Sequence, residues 1–315
     1  MQNIHVFRKP FQRVLLFVLV VLLPVVPTPA DSTTRPASDC VQTITFAIPG
    51  SHEGATSKAM VIMPPEYTKP RAANVRWPAV YLLHGYSDNY ESWYKYTRTT
   101  DRSLDLMAAR FRTIIVLPDG NYSSWYLDAP PDAPESADWQ WETIITKHLV
   151  PEIDKRFRTW AEPAGRGIAG LSMGGHGAIY LCARHPELFS ACGSMSGVMD
   201  VRRFKDKYRL ARLLGPYEAN PQHWLEYSAV TQAEKFIGRQ VGIFIECGLG
   251  DKSIIGGNQE MHRKLIELNI PHDYMERPGG HNWPYWINAL PYHLQFMTDR
   301  LKKAGEPVNG FSNLR

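Results

Sequence analysis

Residues 165–189 read GRGIAGLSMGGHGAIYLCARHPELF, and within them Gly170-Leu171-Ser172-Met173-Gly174 forms a G-x-S-x-G with a further glycine at 175. RGIA leads into this pentapeptide and an Ala/Leu-rich stretch follows it, so the segment reads as a short strand, a sharp turn and a helix. A serine on such a turn is pushed into a strained conformation with its hydroxyl exposed. Glycines two places before and after it let the chain pass itself without β-carbon collisions. Ser172 is therefore the candidate nucleophile, the alternative being an ordinary helix N-cap serine. Gly165-Arg166-Gly167-Ile168-Ala169-Gly170 also satisfies G-x-G-x-x-G. That fingerprint must follow a strand and open a helix, whereas here the polar loop RTWAEPA (158–164) precedes it and the strand lies within it. We reject a dinucleotide site.

Upstream of the turn lie two extended segments with period-2 character, VQTITFAI (41–48) and SKAMVIMPP (57–65). They are followed by the apolar runs WPAVYLLHG (77–85) and FRTIIVLPDG (111–120), of the kind that strands buried on both faces require. Helical spacing recurs around 103–110 and in TIITKHLVPEIDKRF (143–157), although Pro151 lies inside the latter. Downstream, FSACGSMSG (189–197) and QVGIFIECG (240–248) read as strands, NQEMHRKLIELNI (258–270) as an amphipathic helix, HDYMERPGGH (272–281) as a last strand and loop, and WINALPYHLQFMTDRL (286–301) as a closing helix. Strands alternating with helices in this order imply an α/β fold with a mostly parallel sheet covered on both faces. One domain accounts for about 41–302. Residues 198–240, polar and without a clear strand, read as an insertion, and 303–315 as a frayed tail.

The 315 residues are 44% apolar and 21% charged, which excludes disorder for the bulk of the chain. Arg8, Lys9 and Arg13 precede an apolar run from Val14 to Val26, then PTPA and Asp31, with no acid among the first thirty residues. This describes a secretory signal cut near Ala30, with an uncleaved anchor as the alternative. Residues 31–40 form a polar linker. The expected location is secreted or periplasmic, without stable membrane insertion once the signal is removed, since no 18-residue apolar run follows residue 30. The net charge of +4 owes three units to those leader cations, and a remainder of +1 argues against a nucleic-acid partner. The four cysteines (40, 182, 192, 247) are too few for a disulfide scaffold and match no zinc spacing. Cys182 and Cys247, in apolar segments, read as buried thiols.

A serine hydroxyl needs a base to take its proton, and that base needs an acid to hold its tautomer. Among eleven histidines, His281 stands in the glycine-rich loop Pro278-Gly279-Gly280-His281-Asn282-Trp283. His176, four residues after Ser172, points along the same helix, and His84 reads as a prop for the loop beside it. Asp251 follows the strand VGIFIECG through Gly248-Leu249-Gly250, on the sheet edge where such folds assemble their sites, with Asp200 as competitor. An oxyanion requires two preorganised N–H donors: the amide of Met173 at the helix N-terminus, and an amide after YLLHG, that of Tyr86. Aromatics cluster at Tyr90-Trp93-Tyr94-Tyr96, Trp125-Tyr126 and Trp283-Tyr285-Trp286. They either form a platform for sugar or phenolic rings, with Trp125 and Trp283 as substrate-binding candidates, or pack in the core.

YLLHGYSD, LPDGNYSSWY, ETIITKHLVPEID, GLSMGGHGA, ECGLGD and PGGHNWPYW together resemble the esterase D-like α/β-hydrolases, over about residues 45–300. That group includes S-formylglutathione hydrolases, tributyrin-type esterases, feruloyl and acetyl-xylan esterases, and mycolyl transferases. The resemblance implies Ser172 as nucleophile, Asp251 and His281 as its partners, and Tyr86 and Met173 as oxyanion donors. Asn282 departs from the aspartate expected after the catalytic histidine. The expected activity is that of a serine carboxylic-ester hydrolase, acting on small-molecule or polysaccharide esters such as acetyl or feruloyl groups, without metal or organic cofactor. The alternatives are an acyltransferase of the same fold, an S-formylglutathione-type thioesterase and a noncatalytic carbohydrate-binding relative.

Overall fold

The computed structural model describes residues 38–50, 54–133, 139–303 and 305. The leader, residues 31–37 of the linker and most of the tail expected from sequence lie outside the described residues.

Eight strands form one sheet in the order β1-β2-β4-β3-β5-β6-β7-β8. β1 (Val41–Ala47) and β2 (Thr56–Ile62) are an antiparallel pair at one edge, and β2 also runs antiparallel to β4 (Ile114–Pro118). From β4 onward the sheet is parallel: β3 (Ala79–Leu83), β5 (Arg166–Leu171), β6 (Ala191–Met195), β7 (Gly242–Gly248) and β8 (Asp273–Arg277). Register explains the two sequence textures. β3, β4, β5 and β6 are buried at every position because both faces are covered, whereas edge strand β1 buries only Ile44 and Phe46.

The helices divide between the faces as the two-residue side-chain period requires. On one face, α1 (Ser92–Thr97), α2 (Leu104–Phe111) and the long C-terminal helix Trp283–Arg300 cover Val80, Leu82, Ile115, Leu117 and Leu171. The other face carries α3 (Trp141–Thr143), continuing through a π-helical stretch Ile144–Leu149 into α4 (Val150–Arg156), then α5 (Met173–Arg184), α6 (Leu210–Leu214), α7 (Pro221–Glu226) and α8 (Ile255–Glu267). The C-terminal helix is α9. Pro151 follows directly on the π stretch, where the regular ladder of the continuous helical run is already interrupted.

Two regions pack more closely than their composition suggests. Residues 198–240 contain no strand, but they are not merely polar: Val201, Phe204, Leu210, Leu213, Leu214, Trp224 and Phe236 are buried in the main core. At the C-terminal end, Lys302 and Lys303 are held by contacts to the segment before β5. The Lys302 amide donates to Ala164 O at 2.8 Å, its ammonium meets Glu162 at 2.5 Å, and Trp160 Nε1 donates to Lys303 O at 3.2 Å. Cys40, Cys182, Cys192 and Cys247 are all buried free thiols. Among the described residues no helix is long and apolar enough to cross a membrane.

Candidate active site

The turn between β5 and α5 adopts the geometry that its glycines permit. Ser172 has φ 52° and ψ −114°, a strained conformation for a residue with a side chain. A β-carbon on Gly170 would overlap the Gly174 carbonyl, and one on Gly174 would lie 2.5 Å from His84 O. Larger residues would separate α5 from the strands it crosses. The Ser172 amide donates to Met195 O at 3.0 Å, and its carbonyl accepts from His176 N at 3.0 Å and Val198 N at 3.3 Å, so the strained residue is held from both sides.

Two other loops at the carboxyl ends of parallel strands converge on this serine. After β7, Leu249 N donates to Arg277 O at 2.8 Å and Gly250 N to Gly279 O at 2.7 Å, stitching the Asp251 loop to the His281 loop. Below them, Arg277 donates through Nε to the wholly buried Glu246 at 2.8 Å and through Nη1 to Asn288 at 2.7 Å. This buried charged network ties β7, β8 and α9 together. The result is a continuous hydrogen-bonded chain: His281 Nδ1 lies 2.6 Å from Asp251 Oδ2, and His281 Nε2 lies 2.9 Å from Ser172 Oγ. Asp251 is acceptor-only when ionised, so Nδ1 carries the proton and Nε2 presents its lone pair to the hydroxyl. Asp251 is 3% exposed and the His281 side chain about a third exposed. Asn282, where the family pattern suggests aspartate, caps α9 by accepting from Tyr285 N at 3.1 Å.

The competing residues are engaged elsewhere. Asp200 caps the short 3₁₀ turn Val201–Phe204 and binds Arg202 through Nε at 2.7 Å. His84 contacts Gly85 O through Nδ1 at 2.8 Å and accepts from Gly120 N at Nε2, 2.9 Å away, which bridges the loops after β3 and β4. His176 is fully buried between Tyr227 O (2.8 Å) and Trp125 O (3.2 Å). Burial lowers its pKa to about 4 despite those two carbonyls, so it is neutral at ordinary pH.

Of the two expected oxyanion donors, Met173 opens α5 directly after the serine, at the positive end of the helix dipole. Tyr86 follows Gly85, where a β-carbon would lie 3.7 Å from Ser172 Cβ. Among the described residues neither amide donates to another backbone group. A cavity of about 390 Å³ opens onto Ser172 and His281, and Trp125 and Trp283 both line it. Trp283 stacks on Tyr96 with ring centres 4.2 Å apart, and Trp286 meets His281 edge-on at 4.9 Å. Trp125 is 1% exposed, with its indole N–H on Tyr208 O at 3.2 Å, so it is wall rather than platform. Tyr126, Trp93 and Tyr285 belong to the core.

Sequence reasoning missed Tyr208 and Asp88, which also line the cavity. Tyr208 comes from the 198–240 segment and has φ 57°, with no local motif to mark it. Asp88 stands in the loop YSDNY after β3, where an acid just past a strand's carboxyl end was a usable signal. Among the described residues no group of His, Cys, Asp and Glu could hold a metal ion.

A parallel sheet covered on both faces, with a strained serine after its fifth strand and a histidine–aspartate pair delivered by its last two, defines the α/β-hydrolase fold. The sequence profile of the Esterase family matches residues 52–297, and the chain belongs to that family. An esterase of Mycobacterium tuberculosis is 30% identical over 248 residues, covering 70% of this chain and 51% of that protein, so the chain spans about half of that relative's length. The diacylglycerol acyltransferase/mycolyltransferase Ag85B of Mycobacterium leprae is 27% identical over 271 residues, covering 69% of this chain and 75% of that protein. The structure of a ferulic acid esterase superposes with a TM-score of 0.65 at 24% identity, over 83% of this chain and 99% of that one.

Proposed function

We propose that the protein is a serine carboxylic-ester hydrolase in which Ser172, His281 and Asp251 act as a triad. The observation that carries this reading is the hydrogen-bonded chain in which His281 meets both Ser172 Oγ and Asp251 Oδ2. Ser172 Oγ attacks the ester carbonyl carbon as His281 Nε2 takes the hydroxyl proton, and Asp251 stabilises the imidazolium. The Met173 and Tyr86 amides hold the oxyanion. Collapse of the tetrahedral intermediate expels the alcohol, which leaves with the proton from His281, and an acyl-enzyme remains. Water then adds to the acyl carbon, giving its proton to His281, and the second collapse returns that proton to Ser172 as the acid departs.

Family membership and the fold shared with a ferulic acid esterase support an ester as substrate, with acetyl or feruloyl groups on polysaccharide as the class to test first. The basic and apolar leader supports a secreted or periplasmic location. Ser172→Ala should abolish release of nitrophenol from a short-chain nitrophenyl ester and prevent labelling by a fluorophosphonate; activity surviving in that variant would refute the assignment. A second reading, acyl transfer to a sugar hydroxyl instead of water, is favoured by the 27% identity to a mycolyltransferase. Transesterified product appearing when a sugar acceptor is added would select it.

A further inference from the structure

The cavity that opens onto Ser172 combines two chemistries not explained by ester hydrolysis alone. Six of its fifteen lining residues are tyrosine or tryptophan: Tyr86, Tyr96, Trp125, Tyr208, Trp283 and Trp286. These rings brace one another, Tyr96 stacked on Trp283, Trp286 edge-on to Trp283 at 5.7 Å, and Tyr86 edge-on to Tyr208 at 5.1 Å, so their faces are held in fixed directions. Set into this wall is one carboxylate, Asp88, and among the described residues no lysine or arginine lines it.

Asp88 is half-buried and close to the reacting atoms. A β-carbon on Gly85 would lie 3.4 Å from Asp88 Oδ2 and 3.7 Å from Ser172 Cβ, so the carboxylate and the nucleophile flank the same glycine. Burial is the largest influence on the acid and raises its pKa. His84, the Ser92 hydroxyl, the Gly85 amide and Lys95 oppose that rise. Lys95 lies 5.5 Å from the centre of the Tyr96 ring and does not itself line the cavity. A desolvated negative charge beside the place where an oxyanion forms works against catalysis on a neutral ester, because like charges repel most where water is excluded. A positive charge on the substrate reverses that sign. It would neutralise the carboxylate and meet the rings that line the same cavity, and aromatic rings beside a carboxylate are a means by which proteins hold ammonium groups.

We infer that this cavity selects esters bearing an ammonium or quaternary ammonium group, with Asp88 as the specificity-determining carboxylate and the aromatic wall as its cation–π partner. The inference rests on the esterase reading of Ser172 and names a substrate class for that site.

The test uses pairs of equal shape that differ in charge. Acetylcholine and 3,3-dimethylbutyl acetate carry the difference on the alcohol; the nitrophenyl esters of 4-(trimethylammonio)butanoic acid and of 5,5-dimethylhexanoic acid carry it on the acyl group, three methylenes from the carbonyl. In at least one pair kcat/KM should favour the cationic member by about tenfold or more, equivalent to about 1.4 kcal/mol. Asp88→Asn, which keeps shape and removes charge, should reduce that preference to threefold or less while raising turnover of the neutral member; Asp88→Ala serves if the first variant does not fold. Equal or better turnover of the neutral member in both pairs, with activity still dependent on Ser172, overturns the inference and leaves the esterase reading intact. A preference that survives removal of the Asp88 charge overturns the role given to that residue. If no ester is turned over and Ser172 takes no fluorophosphonate label, the underlying reading itself falls.

Discussion

The turn at Gly170–Gly175 and the segment at 198–240 line the same cavity and are built by different means. The turn is local. Two close backbone approaches, at Gly170 and Gly174, impose a positive φ on Ser172, and the strand before it and helix after it leave no other path. The 198–240 segment has no comparable motif. It is held by apolar side chains sunk in the core and by carbonyls that reach across to other elements, Tyr208 O to Trp125 Nε1 and Tyr227 O to His176 Nε2. The contrast separates two jobs: close backbone packing around the glycines positions the Ser172 hydroxyl, while side-chain docking shapes the space in front of it.

The largest expected effect tests the chemical side of that contrast. Asp251→Asn keeps the shape of the loop after β7 but favours the wrong tautomer of His281. It should lower kcat/KM on a nitrophenyl ester by about 10³–10⁴-fold with an unchanged circular dichroism spectrum. Retention of a tenth of the activity would place the orienting acid elsewhere.

The joint between the two regions is His176, on α5 but bonded to Tyr227. With its pKa lowered to about 4 in the folded protein against an ordinary 6.5, the unfolded chain takes up a proton first as pH falls. Stability present above about pH 6.5 is therefore lost progressively toward pH 4, by roughly 3 kcal/mol from this one group. Urea unfolding at pH 7 and pH 4.5 should reveal that loss, and His176→Gln should flatten the pH dependence. An equally steep dependence in the variant would assign acid sensitivity to other groups.

The smallest effect belongs to the wall. Tyr208→Ala removes the ring that packs edge-on against Tyr86 and should raise KM for an aryl ester about 2–10-fold with kcat changed less than twofold. A fall in kcat of a hundredfold would show that the segment sets the reacting geometry as well, and the separation of jobs would not hold.

Legibility in the sequence follows the same division. Ser172 could be found because steric exclusion around a tight turn demands glycine at fixed offsets, and a pattern at fixed offsets is visible along the chain. The buried strands from β3 to β7 could be found because burial on both faces makes a continuous apolar run. Trp125 was harder to read. Its residue type suits a ring platform, yet its near-complete burial and its bond to Tyr208 O depend on a segment more than eighty residues away. Nothing adjacent to Tyr208 marks it as facing the cavity, whereas the place of Asp88 just past the carboxyl end of β3 is a signal that the sequence does carry.

Taken alone, the amino-acid order determined the strand and helix sequence, the strained serine and the few histidines and acids able to serve it, because each is written in local sterics and hydrophobic period. Only the tertiary structure decided which histidine meets the serine, which acid holds that histidine, and that one carboxylate sits among the rings of the cavity. Those facts depend on distances between residues as far apart as 172 and 281. Such distances are set by how strands order in a sheet, and no stretch of sequence encodes that order locally.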